Sequence, residues 1–116
     1  MTTRLLKIST DFSDTPGPRY ITEGLYSGQQ FRVEILFPKL TEAINNNEKL
    51  VVDLDGAEGY GTSFLEESFG GLIRDNHLSY DAILNHLEII SNEEPYLKED
   101  ILVYLKAAAS DVQAQH

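Results

Sequence analysis

The chain carries two kinds of hydrophobic pattern: short apolar runs, and longer stretches in which apolar residues recur every three or four positions. The first pattern is typical of buried strands and the second of amphipathic helices. Because strands alternate with helices, we expect an α/β fold with helices packed on a sheet. The predicted strands cover residues 4–10, 19–26, 49–54 and 87–91, and the predicted helices cover residues 28–46, 63–74, 79–86 and 94–112.

Residues 31–37 fit both patterns. Their apolar side chains alternate as in a strand, but the helical spacing continues past Pro38, whereas the alternation does not. Proline disfavours both a regular central strand and an unbroken helix. We therefore predict a helix over residues 28–46 that is kinked near Pro38 and begins with Ser27 as its N-cap.

The helix predicted over residues 63–74 has the clearest apolar stripe in the chain. Ser63 and Glu66 have the spacing of a capping box, so we expect the Ser63 hydroxyl to cap this helix. Five of its side chains are predicted to face the sheet, and the last helix is expected to turn a similar set inward. These residues are Phe64, Leu65, Phe69, Leu72 and Ile73, together with Val51 and Val52 of the preceding strand, and Leu97, Ile101, Leu102, Leu105 and Ala108 of the last helix.

Length and charge limit the classes of function. A chain of 116 residues is expected to form one domain, residues 1–116. It has no cysteine, which excludes disulfides, thiolate metal ligands and a cysteine nucleophile. The formal net charge of −10 argues against nucleic acid or an anionic membrane as a partner. Without a signal peptide or a membrane-spanning apolar run, the cytoplasm of a prokaryote is the expected location.

Two features in the middle of the chain resemble enzyme sites. Asp53 and Asp55 end an apolar strand, as in haloacid-dehalogenase-type phosphatases, but the downstream lysine and second acidic pair of that chemistry are missing. Residues 56–63 have the glycine register of a phosphate-binding loop, but Thr62 replaces its lysine and Glu58 adds a negative charge. We predict that the two aspartates are structural or lie at a partner-facing edge. A phosphatase, or a small phosphate- or nucleotide-binding protein, that uses them stays open as the alternative.

The three histidines, His77, His86 and His116, share no ligand spacing with one another. Each is expected to be an ordinary surface or half-buried side chain. The sequence therefore predicts no metal site and no cofactor.

The segment LVVDLDGAEGYGTSFLEESFGGLIR, residues 50–74, closely resembles a STAS-like family of unknown function, DUF4325. The hallmark of that family is an apolar strand, a short glycine-bearing loop and a helix beginning Ser-Phe-(Leu/Ala)-x-Glu-x-Phe-Gly. The likeness spans residues 15–75. It implies the architecture of anti-sigma factor antagonists, a small mixed sheet with helices packed mainly on one face. The residues that match are Ser63, Phe64, Leu65, Glu67, Phe69 and Gly70, with Gly17, Pro18, Arg19, Ser27, Gly28, Phe31 and Arg32 upstream.

The resemblance also implies a regulatory role without catalysis. In the better-understood relatives, an ATPase-type protein kinase phosphorylates a serine at the start of the helix after the central strand, and the phosphate switches binding. The matching position is Ser63, with Thr62 beside it. The expected partner is an ATPase or histidine-kinase-like protein. The residues expected to face it are Tyr60, Glu67, Gly70, Gly71 and Arg74, where the glycine pair either forms a notch for the partner or allows close packing within the domain.

Overall fold

A computed structural model describes residues 2–114 as three strands and a set of helices. The helical segments at residues 28–45 and 62–74 are each continuous but contain a π-helical turn, and we call the second the central helix. A short 3₁₀ helix covers Ile21–Glu23. The elements are β1 (Thr3–Lys7), α1 (Ile8–Asp11), α2 (Gly28–Phe31), a π-helical segment (Arg32–Leu36), α3 (Phe37–Asn45), β2 (Lys49–Asp53), α4 (Thr62–Leu65), a π-helical segment (Glu66–Gly70), α5 (Gly71–Arg74), α6 (Tyr80–His86), β3 (Leu87–Ile90) and α7 (Tyr96–Ala114).

The three strands form a parallel sheet in the order β1-β2-β3. Both connections move in the same direction across the sheet, and right-handed crossovers then place their helices on the same face. On the opposite face Leu5 is 64% exposed and Glu88 is exposed as well. The expected α/β class, with helices packed mainly on one face, is confirmed, but the three strands form a parallel sheet and not the mixed sheet that was expected.

The core is one cluster of side chains from the sheet, the central helix, α7 and the other helices. Phe64, Phe69 and Leu72 of the central helix are fully buried in it, as expected for its apolar stripe. Val52 belongs to this core, but Val51 is buried on the opposite face of the sheet, because successive strand residues alternate. In α7 the predicted inward positions are buried except Leu102, which is 40% exposed.

Residues 28–45 are helical, which resolves the ambiguity of the sequence. The Ser27 hydroxyl accepts a hydrogen bond from the Gln30 amide at 3.0 Å, as predicted for an N-cap. Near Pro38, where the sequence predicts a kink, the helix contains the π-helical segment Arg32–Leu36, in which the Phe37 amide donates to the Arg32 carbonyl. Pro38 follows at once, and since it has no N–H to donate, the wider turn lets the helix pass the proline without ending.

The strand predicted over residues 19–26 is wrong. Those residues belong to a closed surface loop, residues 17–28, that contains the 3₁₀ helix Ile21–Glu23. Gly24 and Tyr26 adopt φ values of +155° and +58°, which regular strands do not allow. The loop geometry overrides the strand propensity of the apolar and aromatic side chains.

Candidate functional site

The first turn of the central helix presents two exposed hydroxyl groups, those of Thr62 and Ser63. The helix begins at Thr62, and Gly61 is its N-cap, with its carbonyl accepting from the Leu65 amide at 3.2 Å. Ser63 is therefore the second helical residue, and the prediction that its hydroxyl caps the helix is wrong. Within residues 2–114 neither hydroxyl has a hydrogen-bond partner. Both are therefore accessible, and neither is needed for a hydrogen bond within the fold.

Tyr60 leads into this turn and is bound to its own domain. Its hydroxyl donates to the Leu54 carbonyl at 2.8 Å, and its ring centroid lies 5.9 Å from that of Phe64. Partial burial, together with the nearby carboxylates of Asp53 and Asp55, raises the pKa of Tyr60. The side chain is a neutral phenol that ties the loop between β2 and the central helix to both elements.

The carboxylates at the ends of the strands are engaged in hydrogen bonds within the fold. Asp53 accepts from the Asp55 amide at 2.9 Å, and Asp55 accepts from the Glu93 amide at 3.0 Å. The Glu93 carboxylate in turn accepts from the Gly56 amide at 2.6 Å. These bonds join the segments that follow β2 and β3, and Lys7 of β1 lies 3.6 Å from Asp53. These contacts hold the segments together at the carboxyl edge of the sheet, which is a structural role.

No group of three His, Cys, Asp or Glu side chains within residues 2–114 is arranged to hold a metal ion. His86 contacts the Glu48 carbonyl through Nδ1 at 2.7 Å, and His77 is exposed. His116 lies outside the described residues.

A buried ion pair anchors the centre of the central helix. Arg32 and Glu67 are only 4% and 2% exposed, and Nη2 of Arg32 lies 2.8 Å from Oε2 of Glu67. The same guanidinium donates to the Glu67 carbonyl at 3.1 Å and to the Asn76 side chain at 2.7 Å. A buried guanidinium needs this many acceptors, because an unpaired charge in the interior is costly. Glu67 is therefore a packing residue of the core.

Two further arginines extend this pair into a network. Arg74 bonds Glu66 at 2.8 Å and Glu67 at 3.2 Å, and Arg19 bonds Glu66 from the other side. Partial burial alone would raise the pKa of Glu66, but the hydrogen bonds from Arg74 and Arg19 outweigh it and hold that pKa below its usual value. The network links the 17–28 loop to the central helix.

Of the two interpretations of Gly70 and Gly71, the structure supports close packing within the domain and shows no notch. Both glycines are buried, and a Cβ at Gly71 would lie 2.4 Å from Nε of Arg32. A Cβ at Gly70 would lie equally close to the Glu66 carboxylate. The glycines thus make room for the charged network, which corrects the prediction that Glu67 and this pair line a partner-facing surface. Arg74, at the rim of the network, is exposed.

Sequence reasoning did not find the structural role of Arg32, although the pattern contains a signal for it. Arg32 precedes Leu36 and Leu40 at intervals of four, so it occupies the apolar stripe of its helix. A charged residue on such a stripe requires a buried partner of opposite charge. Nothing local indicates that the partner is Glu67, because the two residues are distant in sequence.

A surface groove of about 640 Å³ lies between residues 73–81 and the end of α7. Its lining includes His77, Asp81 and Lys106. None of the residues predicted to contact a partner or to accept phosphate lines it, so the groove is separate from the first turn of the central helix.

The family model described as a STAS-like domain of unknown function (DUF4325) matches residues 27–97, more than half of the chain. The matched region contains the central helix, the Arg32–Glu67 pair and the groove-lining segment before α6. Comparisons with curated proteins and with solved structures gave no significant match. Within residues 2–114 no helix has the length and apolar character needed to cross a membrane.

Proposed function

Because the chain belongs to the family of STAS-like domains of unknown function, we propose that it is a non-catalytic regulatory module that binds a protein partner. Its control point is the first turn of the central helix, where Ser63 accepts a phosphate and Thr62 is the neighbouring candidate. The observation that carries this proposal is the exposure of both hydroxyls, which have no hydrogen-bond partner within residues 2–114.

The position suits a charge that acts on a partner more than on the fold. A phosphate adds a charge of about −1.5 to −2. At the start of a helix the free N–H groups and the helix dipole stabilise negative charge. Glu66, one turn further on, is already neutralised by Arg19 and Arg74. Modification of Ser63 therefore breaks no bond of the folded domain and changes the surface that a partner meets.

The proposed partner is an ATPase or histidine-kinase-like protein, by resemblance to anti-sigma factor antagonists. The contact surface centres on Thr62 and Ser63, with Tyr60 and Arg74 at its borders. Gly70, Gly71 and Glu67 influence this surface only through the packing of the helix.

The alternative function, phosphate or nucleotide binding with Asp53 and Asp55, has less support. The amide of Gly56 donates to the Glu93 carboxylate, so a negative group already occupies the glycine loop at that point. Both aspartates likewise accept hydrogen bonds from backbone amides. An incoming phosphate would meet carboxylates and would have to displace these bonds.

Calorimetric titration with ATPase and histidine-kinase-like proteins of the source organism, beginning with any encoded beside this gene, tests the proposal. Ser63→Ala should bind like the wild type, and Ser63→Asp should change the dissociation constant by about tenfold or more. Ser110→Asp, which places the same charge at an exposed serine on α7, is the matched control and should bind like the wild type. Equal affinities for all four proteins, or no binding by any, would contradict the proposal.

A further inference from the structure

The 17–28 loop exposes an unusual concentration of apolar surface. All seven residues from 20 to 26 are exposed. Four of them are large apolar or aromatic side chains: Tyr20 is 46% exposed, Ile21 53%, Leu25 78% and Tyr26 41%. Exposed apolar residues that occur singly need no explanation, but a contiguous group marks an interaction site. Tyrosine is also enriched among the residues that contribute most to binding energy.

The loop is held in one conformation by its own hydrogen bonds. At its neck the Gly17 amide donates to the Tyr26 carbonyl at 2.8 Å, and the Gly28 amide donates to the Pro18 carbonyl at 2.9 Å. A Cβ at Gly17 would lie 2.1 Å from the Leu25 carbonyl oxygen, so the neck accommodates only glycine. Because the loop is ordered before a partner arrives, binding loses little conformational entropy.

The same loop borders the proposed control point. The ring of Tyr26 packs edge-on against Phe12 at 5.8 Å, and Phe12 lies 6.3 Å from the ring of Phe64, the neighbour of Ser63. Arg19, at the start of the loop, also donates a hydrogen bond to Glu66, which lies one turn after Ser63 in the central helix. A protein that covers the loop would therefore meet the first turn of the central helix.

The charge of the molecule selects the kind of partner. Glu23 lies within the loop, Asp14 just before it, and Glu58 is tied to Asp14 by a backbone hydrogen bond of 2.8 Å; all three are exposed. With a net charge of −10, a second copy of the chain or an anionic membrane would be repelled. A complementary surface has an apolar pocket surrounded by lysine and arginine.

We propose that residues 20–26 form the docking loop for a protein partner whose binding site is an apolar pocket with a basic rim, and that Leu25 inserts into that pocket. This inference rests on the proposed regulatory function, since it supplies the surface on which a phosphate at Ser63 would act. A negative charge at Ser63 then modulates a contact that the loop establishes.

The test places a photo-crosslinking amino acid at Leu25, or at Val103 of α7, which is 62% exposed. Crosslinking is carried out in cells of the source organism, the protein joined at Leu25 is identified, and its complex is reconstituted from purified proteins. Leu25→Asp should weaken that complex by at least about tenfold. Val103→Asp should bind like the wild type, and added salt should weaken the wild-type complex.

The outcomes separate this inference from the proposed function. A partner other than an ATPase or kinase, crosslinked at Leu25 and lost with Leu25→Asp, upholds the docking loop and overturns the proposed partner class. Binding of an ATPase or histidine-kinase-like protein that responds to Ser63→Asp but not to Leu25→Asp overturns the docking loop and leaves the proposed function standing. Crosslinking at Leu25 no stronger than at Val103, or to a second copy of the chain, also overturns the docking loop.

Discussion

Ser63 and Ser68 lie on the same central helix, yet their surroundings are opposite. Ser63 is exposed and has no hydrogen-bond partner within residues 2–114. Ser68 is completely buried, and its hydroxyl donates to the Gly28 carbonyl at 3.3 Å. The first turn of the helix can therefore change its chemistry without disturbing the fold, whereas the middle of the helix cannot.

The charged residues follow the same division. Beyond the first turn, Glu66 and Glu67 are held by arginines from three different segments, and Glu67 is inaccessible to a partner. Much of the motif that marks the family thus serves the interior, and the accessible part is short. The following substitutions test that division, from the largest expected effect to the smallest.

Glu67→Ala should destabilise the fold by about 3–5 kcal/mol, because it removes the buried carboxylate of Arg32 and leaves only the half-exposed Asp75, 3.3 Å away, as a counter-ion. Urea unfolding monitored by circular dichroism measures this change. Replacing both partners, Arg32→Met with Glu67→Leu, should recover most of the loss, since a well-packed apolar pair has no charge to desolvate. A single Glu67→Ala variant as stable as the wild type would show that the pair is not buried.

Gly71→Ala should destabilise by about 1–3 kcal/mol, because the added methyl group would overlap the Arg32 side chain. Gly59→Ala is the matched control, since a Cβ there meets nothing within 4 Å, and its effect should stay within about 0.5 kcal/mol. Thermal unfolding of the two variants compares them directly. Equal melting temperatures would mean that the space at Gly71 is open, which would favour the notch over close packing.

Glu66→Gln should be slightly destabilising at neutral pH, by less than about 1 kcal/mol, because the ion pairs of Glu66 are partly exposed. The pKa of Glu66 is lower in the folded protein, so its contribution is fully present above the unfolded pKa of about 4.3 and is lost as the pH falls through the folded value. Unfolding free energies of the two proteins should therefore converge in acid. A difference that is independent of pH would contradict this assignment.

Ser63→Ala should change the free energy of unfolding by no more than about 0.5 kcal/mol, since the serine hydroxyl makes no hydrogen bond and Gly61 is the N-cap. If the hydroxyl did cap the helix, the same substitution would cost about 0.5–2 kcal/mol. Denaturant titration distinguishes the two cases. As a positive control, Ser79→Ala removes an observed cap, in which Ser79 accepts from the Ala82 amide at 3.1 Å.

Periodicity was sufficient to predict most of the fold. The helix at residues 28–45, the buried side of the central helix, β2 and β3 follow directly from apolar spacing. The missed element is the 17–28 loop, where strand-forming side chains are exposed and the backbone is fixed by hydrogen bonds between its two ends. Such bonds join residues whose proximity no local pattern encodes.

The site was less predictable than the fold because its contacts are distant in sequence. The spacing of Ser63 and Glu66 indicated that Ser63 is the N-cap. In the structure the N-cap is Gly61, two residues earlier, and the Glu66 carboxylate accepts hydrogen bonds from Arg19 and Arg74. The sequence allows either a notch or close packing at the glycine pair, and in the structure Arg32 fills the space at Gly71 and Glu66 the space at Gly70. Only the three-dimensional structure shows which groups enter such a space.

The central claim is that the accessible turn of the central helix is the control point. It is tested most directly by incubating the protein with MgATP and ATPase-type protein kinases of the source organism, and locating the phosphate by tandem mass spectrometry. The result expected is phosphate on Ser63, none on Ser68, and loss of most incorporation in Ser63→Ala, with any remainder on Thr62. Incorporation at another residue that Ser63→Ala leaves undiminished, or no incorporation at all, would contradict the claim.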